Sequence, residues 1–133
     1  MQMTQNGPVI VVDDDQAVRE SLKFALELEG LNVRIYRGAR ELLSEPNLET
    51  GGCLVIDYLM PGLNGCELVQ ELRKREIGCP AILIASDLTP EVLGCALTCG
   101  ARCVLAKPLE DDSLLREIQA ALRESETQQT PTA

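Results

Sequence analysis

Short apolar runs alternate along the chain with longer segments in which apolar residues recur every three or four positions. A run of four or five apolar residues bounded by polar or turn-forming residues is typical of a strand buried on both faces of a sheet. The longer segments have the periodicity of amphipathic helices. The pattern predicts strands at Val9–Val12, Asn32–Tyr36, Cys53–Ile56, Ala81–Ala85 and Cys103–Ala106, and helices at Val18–Leu28, Ala39–Leu43, Cys66–Arg75, Pro90–Cys99 and Ser113–Arg123.

The alternation of strands and helices predicts an α/β domain, a doubly wound five-stranded parallel sheet with helices on both faces. The first strand is too apolar for a sheet edge, which favours the strand order 2-1-3-4-5. One domain would span residues 9–123. Residues 1–8 are predicted to be a lead-in, and the polar segment Glu124–Ala133 to be a disordered tail or a linker.

The charge of the chain argues against several classes of partner. Its 133 residues carry a formal net charge of −9 at pH 7, whereas binding to nucleic acid or to an anionic membrane surface needs a basic surface. No apolar run has the length of a membrane-spanning helix, and the N-terminal residues lack the basic and apolar regions of a signal peptide. We therefore expect a cytoplasmic protein that binds neither DNA nor membranes by itself.

The six cysteines form no C-x-x-C pair, and the chain has no histidine to complete a zinc site. Cys95 and Cys99 share one face of a predicted helix, so a redox or soft-metal role is conceivable. The favoured interpretation is that the cysteines are small buried hydrophobic residues in a reducing compartment.

Three of the predicted strands are each followed by charged residues. Asp13 and Asp14 follow the first strand, Asp57 ends the third, and Lys107 follows the fifth. The carboxyl ends of parallel strands line a common crevice, so these side chains should meet. Each feature alone is also compatible with ordinary turn and capping chemistry. Their combination indicates a site for a phosphoryl group and a hard divalent cation such as Mg²⁺, which relieves the repulsion between carboxylates.

Three stretches resemble the receiver domain of bacterial two-component response regulators: Val11–Asp15, Val55–Gly65 with its Asp-x-x-Met-Pro-x-x-x-Gly pattern, and Lys107-Pro108. The resemblance covers roughly residues 9–123 and implies the flavodoxin-like fold of chemotaxis receivers. It also implies that Asp57 is the phosphoacceptor, forming an acyl phosphate. Lys107 would contact the phosphoryl group, and its bond to Pro108 would be cis.

The same resemblance implies a Mg²⁺ site and a partner. Asp14 would bind the ion directly, Asp13 mainly through water, Asp57 as a further ligand, and Leu59 through its backbone carbonyl. The phosphate donor would be a sensor histidine kinase or a phosphotransfer protein, because this chain has no histidine. The chain would act as a phosphorylation-dependent protein-interaction switch, with a downstream protein or output domain. It would not be an enzyme beyond slow self-dephosphorylation.

The chain departs from the family at two switch positions. The family usually places Thr or Ser at the end of strand four, where this chain has Ala85 followed by Ser86. It usually places Tyr or Phe on strand five, where this chain has Val104. The usual relay from hydroxyl to aromatic ring should therefore be absent, unless a slip at the strand end brings Ser86 into the pocket.

Two alternatives remain beside phosphorylation-dependent switching. An atypical receiver would bind its partner without phosphorylation, and the substitutions at Ala85 and Val104 favour it. A phosphatase of the haloacid dehalogenase type would use Asp13 and Asp15 as an Asp-x-Asp pair, but Met60-Pro61 has no role in that hypothesis.

Overall fold

The computed structural model describes residues 7–46, 48, 52–109 and 112–129, with side chains as far as Glu124. Strands and helices alternate throughout that part of the chain, as the sequence pattern predicts. The strands are β1 (Val9–Val12), β2 (Val33–Tyr36), β3 (Cys53–Asp57), β4 (Ala81–Ala85) and β5 (Cys103–Ala106); the helices are α1 (Gln16–Leu28), α2 (Ala39–Leu43), α3 (Gly65–Lys74), α4 (Pro90–Cys99) and α5 (Ser113–Gln129).

All five strands are parallel and lie in the order β2-β1-β3-β4-β5, so the predicted order is confirmed. The register pairs Val12 of β1 with Ile56 of β3, and Asp57 with Ile84 of β4. The carboxyl ends of β1, β3 and β4 are therefore level, and the residues that follow them are brought to one edge of the sheet.

Two hydrophobic cores cover the two faces of the sheet. One packs α2, α3 and α4 on strand residues such as Ile10, Leu54 and Leu83. The other packs α1 and α5 on the alternate residues, including Val11 and Ile84. Because successive strand residues point to opposite faces, a strand covered by helices on both sides is apolar at every position. This explains why the strands appear in the sequence as unbroken apolar runs.

Local capping chemistry moves some helix ends away from the predicted positions. The side chain of Asp15 accepts hydrogen bonds from the backbone N–H groups of Ala17 and Val18, so α1 begins at Gln16 rather than Val18. Asn64 and Glu67 form a capping box that starts α3 at Gly65. The two caps follow β1 and β3, whose carboxyl ends lie at the same edge of the sheet, and they determine where α1 and α3 begin.

The last helix corrects the prediction of a disordered segment after Arg123. Helix α5 continues to Gln129. Arg102, which precedes β5, forms ion pairs with both Glu117 and Glu124 of α5, two turns apart on the same helix. Polar composition predicted disorder, but Glu and Gln are good helix formers and this cation links the helix to the sheet. Residues 1–6 of the predicted lead-in and 130–133 of the tail lie outside the described residues. Within the described part of the chain, no helix is both long and apolar enough to cross a membrane.

Candidate functional site at the carboxyl edge of the sheet

Three carboxylates meet at the carboxyl ends of β1 and β3. Asp13 and Asp14 follow β1, Asp57 is the last residue of β3, and one oxygen from each lies within 4.8 Å of the others. Asp13 and Asp57 are buried, with 3% and 6% of their surfaces exposed, whereas Asp14 is exposed. The predicted convergence of these residues is observed, and it gives a compact acidic cluster that is open to solvent on the Asp14 side.

Lys107 brings the positive charge that the sequence predicted at this edge. Its Nζ lies 3.3 Å from Oδ1 of Asp57 and 3.7 Å from Oδ2 of Asp13. The residue directly follows β5, and its backbone N–H donates to the carbonyl of Ala85 at 2.8 Å. The Lys107–Pro108 peptide bond is cis, as predicted. The lysine thus bridges two of the three carboxylates but leaves an excess of negative charge.

The surroundings of Asp57 disfavour its charged form. Burial first, and then the neighbouring carboxylate of Asp13, raise its pKa from an ordinary value of 3.8 to about 6, while Lys107 acts in the opposite direction. The single lysine therefore does not compensate the cost of burying this carboxylate beside other anions. A divalent cation at the cluster would supply the missing positive charge.

Asp13 is held rigidly from several directions. Its backbone N–H donates to the carbonyl of Tyr36, and its own carbonyl accepts from Nη1 of Arg19 at 2.9 Å. One carboxylate oxygen accepts from the backbone N–H of Asp15 at 2.9 Å, and the other faces Lys107. Since both oxygens already have partners within the protein, Asp14 is the carboxylate best placed to offer oxygen atoms directly to an ion.

The sequence analysis missed Arg19. It is one of only two buried residues of α1, the other being Leu26, and it is 8% exposed. Arg19 and Leu26 are seven positions apart and therefore lie on the same face of the helix. Helical periodicity places Arg19 on the buried face of α1, and an arginine at such a position was the feature of the sequence that could have revealed its role. Its guanidinium turns inward and binds the carbonyl of Asp13.

The position of Asp57 is also fixed by close packing of the backbone around it. Gly65 donates its N–H to the carbonyl of Tyr58 at 2.7 Å. A β-carbon at Gly65 would lie 2.9 Å from the carbonyl oxygen of Asp57 and 3.0 Å from both Leu83 and the α-carbon of Tyr58. Glycine is therefore the residue that allows the start of α3 to approach the end of β3, which explains the last position of the Asp-x-x-Met-Pro-x-x-x-Gly pattern.

The residues present fit a hard divalent cation. All the side-chain ligands available in the cluster are carboxylate oxygens, which Mg²⁺ prefers, and burial together with the charge of Asp13 raises the pKa of Asp57. Leu59 lies in the exposed loop after β3, and the role of its carbonyl as a ligand stays a prediction. Asp15 is occupied in capping α1, which removes it from the Asp-x-Asp pair that a phosphatase of the haloacid dehalogenase type would need.

The switch positions lie on strands whose pairing is regular. Ala85 pairs with Ala106, and Val104 pairs with Leu83, without a slip in register. Ala85 is buried and Val104 is partly buried, and neither side chain can donate a hydrogen bond. Ser86 follows the strand, is exposed, and lines a groove of about 610 Å³ with Ala17, Val18 and Lys107. The pairing of β4 with β5 shows no slip in register, so the slip that would have brought Ser86 into the place of the missing hydroxyl at Ala85 is not observed.

A doubly wound sheet with buried acidic residues and a lysine at its carboxyl edge is typical of α/β domains whose ligand crevice can bind a cation and a phosphoryl group. Comparison with known proteins narrows this class. The family model described as response regulator receiver domain matches residues 9–119. The chain therefore belongs to the receiver domains of two-component response regulators.

Individual relatives agree with this assignment. The transcriptional regulatory protein FixJ of Bradyrhizobium diazoefficiens is 35% identical over 124 residues, which cover 93% of this chain and 60% of FixJ. The C4-dicarboxylate transport transcriptional regulatory protein DctD of Pseudomonas aeruginosa is 34% identical over 114 residues, covering 86% of this chain and 25% of DctD. The chain thus spans less than two thirds of the length of each of these curated relatives.

Solved structures give the same fold. A crystal structure of FixJ-N has a TM-score of 0.82 and 32% sequence identity, and the match covers 90% of this chain and 96% of that one. A CheY-like receiver domain from Methanospirillum hungatei has a TM-score of 0.83 and 30% identity, with coverage of 91% and 97%. Neither comparison favours the phosphatase hypothesis.

Proposed function

We propose that this chain is a phosphorylation-dependent switch in which Asp57 accepts a phosphoryl group in the presence of Mg²⁺. The observation that carries the proposal is the arrangement around Asp57: a buried carboxylate with a raised pKa, 3.3 Å from Lys107 and within 4.8 Å of two further carboxylates. Such a combination of burial, like charges and a single cation is typical of a reactive site rather than of a structural ion pair.

The reaction assigns a distinct task to each side chain. An oxygen of Asp57 attacks the phosphorus of a phosphohistidine donor, the P–N bond breaks, and an acyl phosphate forms on the aspartate. Lys107 is close enough to contact a phosphoryl oxygen as a point charge. Asp14 and Asp57 would hold Mg²⁺, with Asp13 acting through water. When bound, the ion neutralises the charge of the phosphoryl oxygens.

The 133 residues contain no histidine, so a phosphohistidine donor has to lie outside this stretch of sequence. A sensor histidine kinase or a phosphotransfer protein is the partner that the family membership suggests. FixJ and DctD are named as transcriptional regulators. We infer that the signal received at Asp57 serves an output of that kind, which the 133 residues of this receiver do not themselves supply.

One observation supports a second mode of action. Ala85 and Val104 provide neither the hydroxyl nor the ring by which a phosphoryl group would be sensed across β4 and β5. An effector shifts a conformational equilibrium only through contacts that differ between the two states. Binding to a partner irrespective of phosphorylation is therefore the alternative function, and it shares the fold and the site.

Phosphorylation with acetyl phosphate and Mg²⁺, followed by intact-mass spectrometry, tests the proposal. Wild type should gain one phosphoryl group, and Asp57→Asn should gain none. Asp112→Asn is the matched control, because Asp112 is an exposed carboxylate just before α5 and is not one of the three carboxylates of the cluster. Failure of wild type to gain mass, or a gain retained by Asp57→Asn, contradicts the assignment and favours the constitutive alternative.

A further inference from the structure

One buried charge beside the acidic cluster has no task in the proposed phosphorylation. Of the residues that the structure describes, three charged ones are buried: Asp13, Asp57 and Arg19. Arg19, which is 8% exposed, is the only cation among them, and it lies on α1 rather than at the end of a strand. Burying a guanidinium is costly unless its N–H groups find partners. An apolar side chain would fill the same place on the helix without that cost, so the arginine needs a reason beyond packing.

The contact that Arg19 makes is with the backbone of the acidic loop. Its Nη1 donates to the carbonyl oxygen of Asp13 at 2.9 Å, and both groups are buried. Within the described part of the chain, no carboxylate forms an ion pair with this guanidinium. Lys107, in contrast, pairs with the carboxylates of Asp13 and Asp57. Two cations therefore serve the cluster in different ways: Lys107 contacts the carboxylates, and Arg19 contacts the chain that carries them.

The carbonyl that Arg19 binds belongs to the peptide unit between Asp13 and Asp14. Because a peptide unit is planar, holding its oxygen also sets the direction in which the chain enters Asp14. Asp14 is exposed, and no hydrogen bond or ion pair from the described residues restrains its carboxylate. The N–H of Asp13 is held from the other side, by the carbonyl of Tyr36 at 3.2 Å. The backbone that leads to Asp14 is thus fixed between β2 and the side chain of Arg19.

We propose that Arg19 is a positioning residue of the cation site, whose bond to the carbonyl of Asp13 directs the carboxylate of Asp14 towards the ion. The inference rests on the proposed binding of Mg²⁺. This ion demands nearly ideal octahedral geometry, so its affinity depends on the direction of each ligand. Side chains that hold metal ligands in place typically change metal affinity by about 10- to 100-fold when they are removed.

Two simpler roles for Arg19 predict different results. A guanidinium beside the cluster repels an incoming cation, so a neutral replacement strengthens Mg²⁺ binding if charge is its only contribution. If Arg19 serves only to pack α1, its replacement lowers stability and leaves the affinity for Mg²⁺ unchanged. Loss of a positioning bond frees the peptide before Asp14 and weakens Mg²⁺ binding. The direction in which the affinity changes therefore separates the three roles.

Calorimetric titration of the full chain with magnesium chloride tests the proposal. Arg19→Met keeps an unbranched side chain that favours a helix but has no donor, and it should bind Mg²⁺ about tenfold more weakly than wild type. Arg19→Lys keeps a donor and should recover most of the loss. Leu26→Ala is the matched control, because Leu26 is 4% exposed on the same face of α1. It should lower stability towards urea and leave the affinity for Mg²⁺ unchanged.

The proposal is overturned if Arg19→Met binds Mg²⁺ as tightly as wild type or more tightly, if Arg19→Lys recovers nothing, or if Leu26→Ala shows an equal loss. Absence of Mg²⁺ binding in wild type would instead contradict the cation site of the proposed function, and this inference with it. Circular dichroism verifies that each variant is folded. Should Arg19→Met not fold, the nuclear magnetic resonance signals of the Arg19 guanidinium in wild type decide. We expect them to shift when Mg²⁺ is added, and the absence of a shift would overturn the inference.

Discussion

Replacing Asp57 by asparagine should stabilise the metal-free protein at neutral pH. The folded protein confines this carboxylate among other anions and raises its pKa to about 6 from 3.8, which corresponds to about 3 kcal/mol of stability lost when the group is ionised. This figure already includes the favourable contact with Lys107. Solvent at the open side of the site screens part of the repulsion, so we expect Asp57→Asn to raise the free energy of unfolding by about 2 kcal/mol at pH 7.

The sign of the pH dependence follows from the direction of the pKa change. The folded state binds the proton of Asp57 more tightly than the unfolded state does, so its contribution to stability is fully present below pH 4 and is lost as the pH rises through 6. The difference between Asp57→Asn and wild type should therefore be small at pH 4 and reach its full value at pH 7.

Urea denaturation in the presence of EDTA, followed by circular dichroism at both pH values, measures this difference. Asp112→Asn serves as the control for loss of one negative charge elsewhere, and its effect should be a few tenths of a kcal/mol at most. Millimolar Mg²⁺ should reverse the order by stabilising wild type. Equal stability of wild type and Asp57→Asn at pH 7, or a difference that does not change with pH, refutes the electrostatic argument.

Three other outcomes are expected. Asp14→Asn should abolish most of the rise in melting temperature that millimolar Mg²⁺ gives wild type, and an unchanged response would place the ion elsewhere. Gly65→Ala should cost about 1–3 kcal/mol in urea denaturation, because its β-carbon would meet the carbonyl of Asp57 at 2.9 Å; full stability would show that the loop yields easily. With a beryllofluoride mimic of the phosphoryl group, hydrogen exchange should change mainly over Tyr58–Asn64 and little over Ser86–Ala96 and Arg102–Ala106, and Ala85→Thr with Val104→Tyr should enlarge the latter response. Comparable changes in all three segments would show that another group performs the relay.

The strands, their order and the convergence of the charged residues were all accessible from the sequence for one physical reason. A strand buried on both faces is an unbroken apolar run, so the first charged residue after it marks the edge of the sheet. Asp13, Asp57 and Lys107 could be placed together on that basis, and their convergence is observed.

The features that the sequence analysis missed have different causes. Arg19 donates to the carbonyl of Asp13 only six residues away, and its place on the helix face that also carries Leu26 was a signal that the analysis did not use. Helix α5 extends past Arg123 because Arg102, far away in the sequence, pairs with Glu124.

The central claim is that Asp57 carries the phosphoryl group, and chemical trapping of the acyl phosphate tests it most directly. Borohydride reduces an aspartyl phosphate to homoserine, and tandem mass spectrometry then locates the converted residue. After incubation with acetyl phosphate and Mg²⁺, we predict homoserine at position 57 and at no other aspartate. Conversion at Asp13 or Asp14 instead, or no conversion at any aspartate after this incubation, would contradict the proposed function.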